Sequence, residues 1–227
     1  MLIVLEGLDG AGKSTQVKML REYLQSVCPK VDYIHFPRYD APVCGELISK
    51  FLRGDFGTIE SVHPQLVALL FAEDRREAAP MIRKAIEEGS TVLLDRYVYS
   101  NIAYQCAKLG SDQEAEALRK WIIDTEYGAF KLPRPDLNLF LDVPIAFVEK
   151  SLTAHRDGND RDYLHGGSDI HETDINFQRR VRDFYRRQAA SDPRFLPVGC
   201  SDADGGMLAA ESIFEKIKKI YENHKKD

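Results

Sequence analysis

The run Gly7-Leu8-Asp9-Gly10-Ala11-Gly12-Lys13-Ser14 fits the spacing G-x-x-x-x-G-K-[ST]. The chemistry this spacing serves is the holding of a nucleoside triphosphate. Glycines let the backbone wrap a phosphate with its N–H groups turned inward. Lys13 brings a mobile positive charge to the β- and γ-phosphates, and the Ser14 hydroxyl can ligate Mg²⁺. A helix starting near Lys13 aims its positive dipole end at the same anion. The apolar run Leu2-Ile3-Val4-Leu5 precedes the loop and an amphipathic run follows it. The expected ATP-binding segment comprises Gly7, Leu8, Asp9, Gly10, Ala11, Gly12, Lys13, Ser14 and Thr15.

Further chemistry sits at the ends of other apolar runs. Thr91-Val92-Leu93-Leu94 leads into Asp95-Arg96-Tyr97. A carboxylate there is the usual partner of a nucleotide-bound Mg²⁺, and Arg96 offers a planar fork to a phosphate. Arg38, after Phe36-Pro37, could grip a second phosphate, though alone it reads equally well as a surface arginine. Phe71 and Arg75 are four apart on a helical stretch, so they share a face. An aromatic plate beside a guanidinium suits recognition of a flat base; in isolation the pair reads as core plus a surface ion pair.

The elements that must position these groups alternate. Strands are expected at 2–6, 31–36, 91–95, 136–142 and 195–198. Helices are expected at 13–27, 42–52, 64–88 (bent or split near Pro80), 98–109, 112–127, 145–154, 169–190 and 207–223. Apolar strands without polar alternation, separated by helices, imply an α/β fold: a five-stranded parallel sheet covered by helices on both faces. Ligands then gather at the carboxyl ends of the strands. Residues 155–168 are polar, charged and rich in glycine, and read as a mobile loop. Arg179, Arg180, Arg182, Arg186 and Arg187 read as a solvated helix face with i,i+4 pairing to Asp183.

Bulk properties narrow the classes. The chain has 227 residues and is expected to form one domain over 1–227, with 44% hydrophobic residues to build its core. A net charge of −5 argues against a general nucleic-acid or membrane-surface binder. Four cysteines without C-x-x-C spacing suit a reducing compartment, and no run is long enough to span a bilayer. A cytoplasmic protein is expected.

Taken together, these residues resemble the thymidylate kinase family of P-loop nucleoside monophosphate kinases. The resemblance runs through 6–16, 36–38, 70–75, 94–105 and 132–137. It implies a three-layer P-loop kinase fold with a phosphate loop at 7–15 and a mobile lid at about 155–172. It implies phosphoryl transfer from ATP to dTMP with Mg²⁺, and a homodimer. Lys13, Arg96, Asp9 and a lid arginine would be catalytic. Asp9, Arg38, Phe71, Arg75, Arg96, Ser100, Asn101, Tyr104 and Glu172 would bind dTMP. Arg38 and Arg96 would hold its phosphate, Phe71 would stack on thymine and Arg75 would reach O4. Ser100 and Asn101 lie where the family contacts the far edge of the base and N3–H, and Tyr104 would crowd the sugar 2′ position. Ser14, Asp95, Asp9 and Glu172 would surround the metal.

The chain departs from some members by carrying Gly10 where they carry a phosphate-loop arginine. The lid is then expected to supply that charge through Arg156 or Arg161, and the choice stays open. Asp169-Ile170-His171-Glu172 also replaces the commoner Asp-Arg-x-Glu. The alternative readings are another monophosphate kinase or a deoxynucleoside kinase on the same fold, a nucleotide-dependent switch, and a catalytically dead relative, which the intact Lys13, Asp95 and Arg96 argue against.

Overall fold

In the computed structural model, residues 1–154, 164 and 169–225 are described. Strands β1 (Leu2–Gly7), β2 (Val31–His35), β3 (Thr91–Asp95), β4 (Leu137–Asp142) and β5 (Phe195–Gly199) form one sheet in the order β2-β3-β1-β4-β5. Every neighbouring pair is parallel. The helices are α1 (Lys13–Val27), α2 (Cys44–Leu52), α3 (Pro64–Glu87), α4 (Val98–Cys106), α5 (Asp112–Ile123), α6 (Ile145–Thr153), α7 (Ile175–Ser191) and α8 (Ala210–His224).

The two-residue period of β1 divides its side chains between two cores. Ile3 and Leu5 pack with Leu20 and Leu24 of α1 and Ile213 and Ile217 of α8. Leu2 and Val4 pack with Ile82 of α3, Ile102 of α4 and Leu118 of α5. Each of these fully buried aliphatics stabilises the fold by about 1.5–3 kcal/mol. Glu6 falls on the Leu2/Val4 face, so its carboxylate meets α4 within the core. The register sets Leu5 beside Asp95 and Gly7 beside Leu141, which brings the phosphate loop and the end of β3 together.

Several boundaries differ from the sequence expectation, each for a physical reason. The helix over Pro80 is unbroken from Pro64 to Glu87. Pro80 lies on an exposed position, so the carbonyl that loses its N–H partner faces water. α2 begins at Cys44, not Pro42: Val43 sits at φ 64° and closes a tight turn in which Cys44 N–H donates to Pro42 C=O. α5 ends at Ile123 and continues as a π-helical turn, Asp124–Ala129. α7 begins at Ile175, capped by Asp174, whose carboxylate accepts from Asn176 N–H at 2.8 Å. Its arginines are largely exposed, as a solvated face requires, but four of the five bond other elements, and Arg179 bonds Asn176 of its own helix. Arg182 and Arg186 both bond Asp142, Arg180 donates to Ala107 C=O and Arg187 pairs with Asp112.

Gly45 shows how closely α2 is set against the turn that carries Arg38. A Cβ there would lie 2.5 Å from Tyr39 O and 2.7 Å from Arg38 O. Gly45→Ala is therefore expected to destabilise the fold by about 1–3 kcal/mol, read as a lower urea midpoint.

Candidate active site

The phosphate loop takes the shape its glycines permit. Gly10 and Gly12 have φ of 71° and 75°, which a side chain would strain. Gly12 is the N-cap of α1 and makes no side-chain cap, so the first N–H groups of the helix stay open to an anion. The Lys13 ammonium donates to Leu8 C=O at 2.8 Å. A Cβ on Gly10 would lie 3.0 Å from Ser151 Oγ of α6. The loop opens into a cavity of about 1550 Å³. Its wall brings together Asp9, Gly10 to Thr15, Arg38, Phe71, Arg75, Asp95, Arg96, Ser100, Asn101, Tyr104 and Glu172. Leu8 instead packs into the core, and Gly7 lies under the Lys13 stem. Arg156 and Arg161 lie outside the described residues.

Arg96 is the hub. Its backbone sits at φ 66°, uncommon for a non-glycine residue. Nη1 donates to Gly7 C=O at 2.9 Å and to Ser100 Oγ at 3.1 Å; Nη2 donates to Asp9 Oδ1 at 2.6 Å and Tyr104 Oη at 3.2 Å. Asp9 also accepts from the Tyr104 hydroxyl at 2.8 Å and from Gln178 at 3.2 Å. Burial alone would raise the Asp9 carboxyl, but the charges of Arg96 and Lys13 more than offset it and hold the group below its ordinary range.

Glu6 locks this hub from beneath. Its carboxylate accepts the backbone N–H groups of Tyr97 (3.0 Å) and Ser100 (3.2 Å), and the hydroxyls of Ser100 and of Tyr185 (3.1 Å). It thus caps α4 from a neighbouring strand, because the N-cap residue Tyr97 makes no side-chain cap of its own. Burial nevertheless pushes the Glu6 carboxyl up, with the Ser100 and Tyr185 bonds and the Arg96 charge opposing it only in part. Ser100 lines the cavity, but its hydroxyl is bonded to Glu6, Tyr185 and Arg96.

The other end of the cavity is built around a buried ion pair. Arg75 donates Nε and Nη2 to Glu126, at 2.5 and 2.8 Å, with the two residues 2% and 0% exposed. Nη1 is left over. Glu126 lies in the π-helical turn, whose wider step turns it inward. Asn101 Nδ2 donates to Ala68 C=O and to Glu126, both at 2.9 Å. Two acceptors on one side fix the amide, and Asn101 Oδ1 is buried without a partner. Phe71 is half-buried beside them.

Arg38 is braced by Asp74, which accepts both its backbone N–H (2.9 Å) and Nε (2.8 Å). Asp95 Oδ1 is buried and unpartnered at the end of β3. Ser14 is exposed at the helix start, and Glu172 lies half-buried on the far wall. Among the described residues no group of three or more His, Cys, Asp or Glu could hold a metal alone. An orphaned carboxylate oxygen and one hydroxyl nonetheless fit Mg²⁺, which takes few protein ligands and completes its shell with phosphates and water. Glu6, Asp74, Glu126, Gln178 and Tyr185 were not singled out from sequence. Glu6, an acid inside an apolar strand, is the one that left a signal there.

A parallel sheet with a phosphate loop at the end of β1, an Asp-Arg pair at the end of β3 and a second cationic pocket opposite defines a P-loop nucleotide phosphotransferase. The sequence profile of thymidylate kinase matches residues 5–202. The chain is 36% identical to the thymidylate kinase of Mycobacterium tuberculosis over 215 residues, covering 92% of this chain and 96% of that one. It is 35% identical to the human thymidylate kinase over 149 residues, 66% of this chain and 64% of that one. The thymidylate kinase structure from Candida albicans superposes with a TM-score of 0.71 at 28% identity, covering 99% of this chain and 92% of that one. The chain belongs to the thymidylate kinase family.

Lys108 lies beyond the end of α4. It donates to Gln105 Oε1 at 2.8 Å, and its ammonium lies 4.7 Å from the centre of the Phe51 ring. Loss of water lowers its pKa to about 7, with Asp169 and Glu60 opposing. The unfolded chain holds this proton up to about pH 10.4, so stability rises with pH across that window. Lys108→Met is expected to raise Tm most at pH 7 and below, the gain fading as pH approaches 10.

Proposed function

We propose that this chain transfers the γ-phosphoryl group of ATP to the 5′-phosphate of dTMP, giving ADP and dTDP. The observation that carries this is the polarity of the Arg75–Asn101 wall. Arg75 Nη1 is a donor not used by Glu126 and Asn101 Oδ1 an unpartnered acceptor, on two residues that share Glu126 and line the cavity with Phe71. Thymine presents the complement, an O4 acceptor next to an N3–H donor. Cytosine presents the reverse and would leave both protein groups unsatisfied.

The acceptor phosphate is already an anion near neutral pH, so positioning and charge neutralisation carry the reaction. Arg38 and Arg96 hold the dTMP phosphate, and Lys13 with the N–H groups of the loop holds the donor. Asp95, Ser14, Asp9 and Glu172 are the residues that would hold Mg²⁺, which would neutralise charge on the transferred group. Asp9, fixed by Arg96 and Tyr104, orients the acceptor sugar. A lid arginine supplies the charge that Gly10 cannot. Exposed Leu66, Leu69 and Met81 on α3 support a homodimer. No helix among the described residues is long and apolar enough to cross a membrane.

The test is a coupled ADP-release assay with ATP and dTMP, dUMP, dCMP, dGMP or UMP as acceptor. dTMP is expected to lead and dUMP to follow, because one methyl group is worth about 1–3 kcal/mol; dCMP and dGMP should be nearly inert. Equal turnover of dGMP and dTMP refutes the assignment. Phe71→Ala should raise KM for dTMP about tenfold through lost stacking and leave KM for ATP unchanged. Of Arg156→Ala and Arg161→Ala, one should lower kcat by about 10³ and so identify the lid arginine.

A further inference from the structure

His171 has no role in the reaction as set out above, yet three helices, α2, α4 and α7, converge on it. It is 4% exposed, lines the cavity and belongs to the segment that returns to α7. Its ring lies 5.3 Å from that of Tyr104 on α4, 5.4 Å from Phe177 on α7 in a stacked arrangement, and 5.7 Å from Phe51 on α2. The backbone around it is pinned. His171 N–H donates to Asp169 Oδ1 at 2.8 Å, Ile170 N–H to Leu52 C=O at 2.9 Å, and Gln178 Nε2 to His171 C=O at 2.8 Å. The same Gln178 amide reaches Asp9 Oδ2 at 3.2 Å.

His171 Nε2 is buried without a hydrogen-bond partner. The ring is therefore held by packing, as an aromatic wedge. The face it supports belongs to Tyr104, whose hydroxyl donates to Asp9 Oδ2 at 2.8 Å and accepts from Asp9 N–H and Arg96 Nη2 at 3.1 and 3.2 Å. Packing against the His171 ring limits how far Tyr104 can tilt away from these two groups.

We propose that His171 is a positioning residue for the acceptor sugar: its ring wedges Tyr104 against Asp9 and Arg96, and so sets the fit for a 2′-deoxy nucleotide. This rests on the reading of the site as a dTMP pocket. It also means that the acceptor subsite is complete only when the 169–172 segment is seated on α2. The edge facing Tyr104 needs to be flat and apolar, a demand that phenylalanine meets as well as histidine.

The experiment compares His171→Ala, His171→Phe and the unaltered chain, full length, by steady-state kinetics and Tm. His171→Ala is expected to raise KM for dTMP about tenfold, to leave KM for ATP within about twofold, and to narrow the preference for dUMP over UMP. His171→Phe is expected to restore both and to raise Tm, since it removes the orphaned nitrogen. In a Tyr104→Phe background, His171→Ala should add little, because both act through one hydroxyl. If the alanine variant fails to fold, His171→Leu should give the same KM split. An unmoved KM for dTMP, a parallel rise in KM for ATP, or equal losses with Ala and Phe overturns the proposal. Absence of dTMP-stimulated ADP release in the unaltered chain overturns the dTMP reading itself, and this proposal with it, before any variant is compared.

Discussion

Arg96 holds a left-handed backbone conformation that costs about 1–3 kcal/mol in a residue with a side chain, and the rest of the site depends on its being kept there. Three restraints keep it. The Arg96 N–H is tied to Leu5 C=O at 2.9 Å, Glu6 captures the N–H groups that follow, and Asp9 takes the guanidinium. The turn lets a side chain from the end of β3 double back under the phosphate loop. One guanidinium then reads the loop backbone at Gly7, the loop carboxylate at Asp9 and the first turn of α4 at Ser100. The phosphate loop, the end of β3 and the start of α4 are thereby built on one rigid group.

The acidic residues are divided accordingly. Asp74 and Glu126 are spent on arginines and Glu6 on the start of α4, each fully buried. Such a charge is tolerated because its partner is close and its remaining lone pairs are used. Asp95 differs, with one oxygen left bare.

Much of this was legible in the residues. The phosphate loop is a local motif whose backbone geometry follows from glycine, and its flanking strand and helix follow from periodicity. The Phe71/Arg75 pair was legible because a helix brings residues four apart together. The partner of Arg75 was not, since Glu126 is fifty-one positions away and reaches it through a π-helical turn that no periodicity announces. Arg38 and Asp74 met the same limit. The expected break at Pro80 failed because an exposed carbonyl can take its hydrogen bond from water. The expected helix from 169 failed because Asp169 and Asp174 bond the backbone N–H groups beside them and favour turns. Asn101, Tyr104 and Glu172 came from family resemblance; nothing in their spacing alone would have singled them out.

The contact between Gly10 and α6 has an evolutionary corollary. Members of the family with an arginine at this place need both a permissive backbone and open space in front of it. Here the position is left-handed, and Ser151 and Leu152 stand within 3.4 Å of where a Cβ would be. A single replacement of Gly10 by arginine therefore runs into the end of α6 before the guanidinium can reach a phosphate. An arginine at this place requires α6 to recede and the loop to relax first. A change at this one position is therefore not enough to pass from one arrangement to the other; the end of α6 has to change with it.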